Sequence, residues 1–239
     1  PIIDRNKMIM SLPIIDKVIQ KKILKELTAA FGGNFYEVII GGAAFNPEVE
    51  AFFKKIGFPL TVGYGMTECA PIITYADWKE ARLTSCGREV MNMKVRIDSS
   101  DPENIPGEIQ VSGPNVFLGY YKNEQATAEV TTDDGWFRTG DMGIIDKDGF
   151  LYIRGRSKCM ILGPSGQNIY PEEIEAVVNN VNYVVDSLVI EDNGNLVSLI
   201  FPDYHQAELD GLSKDQLEER INSALPEINK QIPNYAKIS

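Results

Sequence analysis

Between Pro13 and Phe31, the apolar residues Ile14, Ile15, Val18, Ile19, Ile23, Leu24 and Leu27 recur at three- and four-residue steps. That spacing predicts an amphipathic helix, and Gly32-Gly33 ends it. The pattern then changes to a short β-branched run, Tyr36-Glu37-Val38-Ile39-Ile40, bounded by Gly41-Gly42, which reads as a buried strand. Asn46-Pro47-Glu48 has the form of a helix start with proline at the first helical position, and that helix is expected to reach Ile56. A second strand, Pro59 to Val62, enters Gly63-Tyr64-Gly65. Strand, helix, strand in this order predicts a parallel α/β sheet, in which ligands sit beyond the C-terminal strand ends. The glycine-rich turns at Gly41 and Gly63 both fall there.

Beyond Ser85 short strands alternate with turn signals. The strands are Lys94 to Ile97, Glu108 to Val111, Trp136-Phe137 and Phe150 to Ile153; the turns include Ile105-Pro106-Gly107, Ser112-Gly113-Pro114, Asp133-Asp134-Gly135 and Asp146-Lys147-Asp148-Gly149. This alternation predicts a small antiparallel β-barrel. From Gly155 the pattern shifts again. A helix begins at Tyr170-Pro171-Glu172-Glu173, strands Val184 to Ile190 and Leu196 to Phe201 flank the turn Asp192-Asn193-Gly194-Asn195, and a polar amphipathic helix is expected from Ser213 to Ile228. The expected fold class is therefore α/β: part of a doubly wound parallel sheet (1–85), then a small antiparallel β-barrel (86–155), then a small α+β C-terminal domain (156–239).

Composition narrows the chemistry. The 239 residues are 44% hydrophobic and 24% charged, which is globular, and the net charge is −11. That balance argues against nucleic-acid partners and broad binding to anionic membrane, while leaving room for a local basic pocket for a small anion. Cys69, Cys86 and Cys159 are far apart and odd in number, so a disulfide framework is not expected and a reducing cytoplasm fits. The single histidine, His205, excludes His-rich metal sites and His-based triads, and it reads as a surface residue in a loop. No apolar run approaches the roughly 18 residues of a membrane span. Beginning at Pro1-Ile2-Ile3-Asp4 and ending at Tyr235-Ala236-Lys237-Ile238-Ser239, the chain reads like part of a longer one.

Three segments carry chemistry. In Gly63-Tyr64-Gly65-Met66-Thr67-Glu68, Tyr64 can stack on a planar base, the Thr67 hydroxyl can bond a phosphate oxygen, and Glu68 can hold Mg²⁺. The plain alternative is a strand-to-helix turn capped by Thr67. In Gly135-Trp136-Phe137-Arg138-Thr139-Gly140-Asp141-Met142-Gly143, Asp141 between glycines can accept two hydroxyl donors, as a ribose offers; the plain alternative is a hairpin turn. Gly155-Arg156-Ser157-Lys158 is followed by the loop Gly163-Pro164-Ser165-Gly166 before the helix at Pro171. Arg156 offers a fixed fork of donors for ribose or phosphate, and the loop can line a narrow channel; an ordinary loop and an acid-led helix start are the plain alternative.

In this order, these segments resemble those of the AMP-forming adenylating enzymes: acyl-CoA synthetases, luciferases and peptide-synthetase adenylation domains. Gly41-Gly42-Ala43 is similar to that family's acid-pocket turn, and Gly107-Glu108-Ile109-Gln110-Val111-Ser112-Gly113 with Gly119-Tyr120-Tyr121 is similar to its β-barrel signature. The run Ile161 to Pro171 looks most like that of bacterial long-chain fatty-acid CoA ligases. The resemblance covers the chain from about Val38 onward.

The resemblance implies an ATP-dependent ligase. It would activate a fatty, long-chain carboxylic acid as acyl-AMP and transfer it to CoA, with fatty acid, ATP, CoA and Mg²⁺ as substrates and cofactor. By that likeness Tyr64 lies on the adenine, Thr67 bonds the α-phosphate and Glu68 holds the metal; Gly41 and Gly42 flank the acid and the adenine, Gly65 is counted with the cofactor-binding residues, and Ala43 lines the acyl slot. Asp141 takes the ribose hydroxyls and Arg156 contacts the same ribose. Lys158 falls at the hinge on which the C-terminal domain swings, and is counted with Thr67 and Glu68 among the catalytic residues; Gly166 borders the pantetheine channel. The family's phosphate loop would precede residue 1 and its C-terminal catalytic lysine would follow Ser239, for which Lys237 is no substitute. Cys159 stands where many relatives carry Asp. The chain alone is therefore expected to be inactive and, with uncovered strand edges, to self-associate. Two alternatives stay open: an acyl-AMP ligase that loads a carrier protein, and a non-catalytic adenylate-binding module. The implied setting is cytoplasmic, with peripheral contact to the inner membrane as an alternative.

Overall fold

The structure is a computed structural model that describes residues 13–163 and 166–239. Pro13–Ala30 forms helix α1, followed by strand β1 (Val38–Ile40), helix α2 (Pro47–Ile56) and strand β2 (Leu60–Val62). β1 and β2 pair in parallel, with Val38 opposite Leu60 and Ile40 opposite Val62. The helix between them begins where the sequence suggests. The Asn46 side chain accepts from the N–H groups of Glu48 and Val49, satisfying donors that the first turn leaves unpaired. Gly57, in the left-handed region at φ 73°, ends it.

Strand β3 (Tyr64–Gly65) and a 3-10 turn (Thr67–Cys69) lead into β4 (Ile72–Tyr75) and β5 (Arg88–Glu89), an antiparallel sheet in the order β3-β4-β5. Then come β6 (Lys94–Asp98), β7 (Gly107–Ser112), the short helix α3 (Glu124–Glu129), β8 (Phe137–Ile145) and β9 (Leu151–Arg156). Strands β6 to β9 form a four-stranded sheet in sequence order. The expected barrel is corrected here: β6 and β9 remain edges of an open sheet, because four strands are too few for the tilt and stagger that closure requires. The doubly wound sheet is likewise represented by one parallel pair among the described residues.

The C-terminal part holds the small hairpin β10 (Ile161–Leu162) and β11 (Asn168–Ile169), helix α4 (Pro171–Val178), the long hairpin β12 (Val184–Asp192) and β13 (Asn195–Pro202), and helices α5 (Tyr204–Leu209), α6 (Lys214–Asn222) and α7 (Leu225–Gln231). The single helix expected from Ser213 to Ile228 is two helices. Pro226 has no N–H to continue the ladder, so it sits in the first turn of α7 instead. The start was legible: Ser213 and Gln216 form a reciprocal capping box. His205 is exposed as expected, but on α5 rather than in a loop.

Two compact units divide the chain. The first takes the described residues up to Arg96, with Val111–Phe137 and Ile145–Tyr152; the second takes Ile97–Gln110, Arg138–Ile144 and Ile153–Ser239. In the second, Ile174 and Val178 of α4 are buried against Val189, Leu196, Ile228, Ile232 and Ile238. Burying each such aliphatic side chain contributes about 1.5–3 kcal/mol. In the first, Ile73, Met93, Val111, Phe150 and Leu151 are fully buried. No described helix is long and apolar enough to cross a membrane.

Candidate functional site

In the first unit the parallel pair places both glycine turns at one end. The Gly63 N–H donates to the Ile40 carbonyl (2.8 Å), so the turn after β2 is tied to the end of β1. Gly41, Gly42 and Ala43 are exposed at that end. A Cβ on Gly41 would lie 3.2 Å from the Gly63 carbonyl oxygen, which keeps this crossing narrow. At Gly65 a Cβ would lie 2.1 Å from the Pro71 carbonyl oxygen. The need for glycine at Gly65 therefore comes from its own hairpin, whatever ligand lies nearby. Tyr64 is only 7% exposed, which leaves little of its ring for a base.

Thr67 and Glu68 project from the 3-10 turn that follows. Thr67 is exposed and does not cap it: the capping position is Met66, and no side chain bonds the first turn. The turn is closed by Cys69 N–H to the Met66 carbonyl (2.9 Å), and Ala70 leaves it in the left-handed region at φ 56°. Residues 115–120 brace it from outside. Asn115 Nδ2 donates to the carbonyls of Cys69 and Ile72 (2.9 Å each), the Phe117 N–H donates to the Glu68 carbonyl (2.8 Å), and the Tyr120 hydroxyl donates to Glu68 Oε1 (3.0 Å). Sequence reasoning read Gly119-Tyr120-Tyr121 only as a signature and passed over Asn115; nothing in a 52-residue separation announces the Glu68 contact. Cys69 behind the turn is fully buried, and burial, with the Glu68 charge beside it, pushes its thiol up to about 11. It is an inert packing group at neutral pH.

An exposed hydroxyl beside a half-buried carboxylate is a hard-oxygen donor set. Among the described residues no three His, Cys, Asp or Glu side chains converge as a cage. One carboxylate with an open side suits Mg²⁺, which is typically held by one or two carboxylates plus substrate phosphates and water.

In the second unit Asp141 lies within β8, at 7% exposure, so the hairpin-turn alternative is corrected. The composition that suggested a turn has another use: Gly140, at φ 74°, bends the strand without ending it. The Thr139 hydroxyl donates to the Ile109 carbonyl (2.8 Å) and accepts from the Asp141 N–H (3.1 Å). The Ser157 N–H donates to the Gly140 carbonyl (2.9 Å), and Arg156 Nε lies 3.2 Å from Asp141 Oδ1. Asp141 and Arg156, 15 positions apart, are thus an ion pair, with a buried carboxylate (10% exposed side chain) and a guanidinium largely in solvent (70%). The Arg156 N–H also donates to Glu172 Oε1 (3.2 Å), which ties the end of β9 to the first turn of α4. Lys158 follows in an exposed turn, next to exposed Cys159. Gly166 is exposed in the β10–β11 hairpin at φ 80°, its N–H bonded to the Gly163 carbonyl (2.9 Å); Pro164 and Ser165 lie outside the described residues.

The sequence profile of the AMP-binding enzymes matches residues 8–121, and that of the AMP-binding enzyme C-terminal domain matches 160–239. The chain belongs to the AMP-binding enzyme family. A long-chain-fatty-acid–CoA ligase of Mycobacterium bovis is 34% identical over 73% of this chain and 28% of its own length. A 2-succinylbenzoate–CoA ligase of Bacillus cytotoxicus is 38% identical over 71% of this chain and 37% of its own. The solved O-succinylbenzoate CoA synthetase of Bacillus subtilis, in complex with AMP, superimposes with a TM-score of 0.68 at 25% identity, over 92% of this chain and 45% of that one. Its complex with ATP and magnesium ion gives 0.64 at 26% identity, over 81% and 45%. The chain thus spans less than half the length of these AMP-binding relatives.

Proposed function

We propose that this chain belongs to an enzyme that activates a long-chain fatty acid through an acyl-AMP and passes it to CoA. The observation that supports this most is the buried Asp141 carboxylate paired with the exposed Arg156. A carboxylate already placed in a polar, walled position accepts ribose hydroxyls without being reorganised, while the solvated guanidinium can turn to the same ribose.

In the first step a carboxylate oxygen of the acid attacks the α-phosphorus of ATP. The bond to the bridging oxygen breaks, and pyrophosphate leaves with the electron pair. Thr67 donates its hydroxyl to the α-phosphate, and the Gly41-Gly42-Ala43 turn borders the acid. Glu68 would hold a magnesium ion carried with the triphosphate, and that ion would supply charge neutralisation there. Tyr64 meets the adenine only through the small part of its ring that remains exposed. In the second step the CoA thiolate attacks the acyl carbon and AMP departs. Lys158 is the pivot that exchanges the two poses, and Gly166 borders the path of the pantetheine arm. None of this needs histidine, in keeping with an exposed His205.

The acid is the finer part of the reading. The fatty acid is favoured by the mycobacterial relative, and 2-succinylbenzoate is the second reading because a ligase of that name is 38% identical. Calorimetric titration with non-hydrolysable adenylate analogues of a long-chain fatty acid and of succinylbenzoate, on this protein and on Asp141→Ala, tests both parts. Tighter binding of the fatty analogue, lost in Asp141→Ala, is the expected result. A preference for the succinylbenzoyl analogue overturns the acid. Binding untouched by the substitution overturns the site.

A further inference from the structure

We propose that Tyr120 is a positioning residue for Glu68: its hydroxyl fixes the carboxylate that meets the divalent cation of a bound nucleoside triphosphate. The inference rests on the reading of Glu68 given above. A glutamate on a surface turn has three freely rotating torsions, and ligating a metal requires stopping all of them. Tyr120 removes much of that freedom beforehand by bonding Oε1 at 3.0 Å. The second oxygen then has a defined direction.

Tyr120 is itself held on both sides. Its N–H donates to Thr127 Oγ1 (2.9 Å), and its ring meets Phe117 edge-on at 4.8 Å between centroids. Phe117 in turn packs edge-on against Phe137 at 5.4 Å. A Cβ on Gly119 would lie 2.7 Å from the Thr127 side chain, so the chain runs close to α3 just before the tyrosine. The same segment grips the turn's backbone through Asn115 and Phe117. One stretch of chain therefore sets both the position of the Glu68 backbone and the orientation of its carboxylate. Ligating carboxylates are generally hydrogen-bonded in this way, and loss of such a partner lowers metal affinity by about 10–100-fold.

Tyr120→Phe keeps the ring and its packing and removes only the hydroxyl. The measurement is Mn²⁺ binding by electron paramagnetic resonance in the presence of ATP, with ATP affinity in EDTA measured separately. Tyr120→Phe is expected to weaken Mn²⁺ binding by about tenfold, the lower end for an exposed site, and to leave metal-free ATP affinity unchanged. In a Glu68→Ala background it is expected to add nothing. Weakened Mn²⁺ binding in Glu68→Ala but not in Tyr120→Phe overturns this inference and leaves the reading of Glu68 intact. Equal losses with and without metal also overturn it, since that is what a purely structural tyrosine would give. No Mn²⁺ signal with ATP in the unsubstituted protein, or no effect of Glu68→Ala, overturns the reading of Glu68 and this inference with it.

Discussion

Glu68 and Asp141 are the two carboxylates proposed to meet a nucleotide, and their own surroundings hold them in opposite ways. Glu68 stands half-exposed on a 3-10 turn whose backbone is pinned from outside by Asn115 and Phe117, and its side chain meets a single neutral hydroxyl. Asp141 is buried within a strand, its own N–H bonded to Thr139, and it faces the charge of Arg156. The first arrangement fixes a backbone and leaves a charge open to solvent, which suits a cation that arrives with its own waters. The second encloses a charge and keeps it paired by a side chain that can swing away. Geometry is set by the main chain in one case and by burial in the other.

The sharpest break is Asp141→Ala. If Asp141 accepts two ribose hydroxyls, each bond to a charged group contributes about 1.5–3 kcal/mol, so adenylate affinity should fall by roughly two to four orders of magnitude. Thermal stability should change little, because the Arg156 left behind is already 70% exposed. Calorimetry and a melting curve on the same sample check both halves. Gly65→Ala tests the other arrangement. The added methyl would sit 2.1 Å from a backbone oxygen of Pro71, which no side-chain rotation relieves. A loss of about 3 kcal/mol in urea denaturation is expected, toward the upper end for overpacking. Gly42→Ser, with nothing within 4 Å of its Cβ, should suffer only from its positive φ of 88° and lose less.

Why was one region more legible than the other? The helix starts at Asn46-Pro47 and Ser213, the parallel pair and the β12–β13 hairpin all rest on local rules: caps, proline, alternation and an Asn-Gly turn. The candidate site residues could be nominated from sequence because glycine-rich turns at strand ends are local too. What the sequence hid were partnerships across distance. Asp141 left a hairpin turn open as the plain alternative because Gly140 and Gly143 surround it, and only β8 itself shows that Gly140 takes its positive φ inside a continuing strand. Asn115 and Tyr120 carried no signal, since an asparagine after a Gly-Pro pair and a tyrosine after glycine are ordinary turn residues until their partners 43 and 52 positions away are known. The barrel failed for a related reason: alternation predicts strands, but the number that join one sheet is a global property.

Asn115→Ala probes the pinned backbone more gently. It removes two donors, leaving the carbonyls of Cys69 and Ile72 to find water. The expected cost is about 1–2 kcal/mol in urea denaturation, with faster amide exchange across Thr67–Cys69 and no change at Asp141. Equal exchange changes in both regions would end the contrast between them.

A third carboxylate sharpens the comparison by supplying the case without a strong charge partner. Glu50 on α2 is 8% exposed, and its Oε2 accepts from the Thr84 N–H at 2.9 Å. Burial raises its pKa above the ordinary 4.5; the Thr84 bond and the Lys54 charge oppose this and do not cancel it. A carboxyl whose folded pKa is raised favours folding in its protonated form. That contribution is fully present below the unfolded value of about 4.5 and is lost as pH rises through the higher folded value. At pH 7 Glu50 is therefore a charge held where water would serve it better. Glu50→Gln keeps an oxygen for the Thr84 N–H and removes the charge, so the melting temperature should rise at pH 7 by a few degrees. The gain should shrink toward zero as pH falls below about 4.5, because the native glutamate is then neutral as well. A gain that persisted unchanged at pH 4 would assign the effect to packing, and a loss at pH 7 would mean that the Lys54 charge outweighs burial at this position.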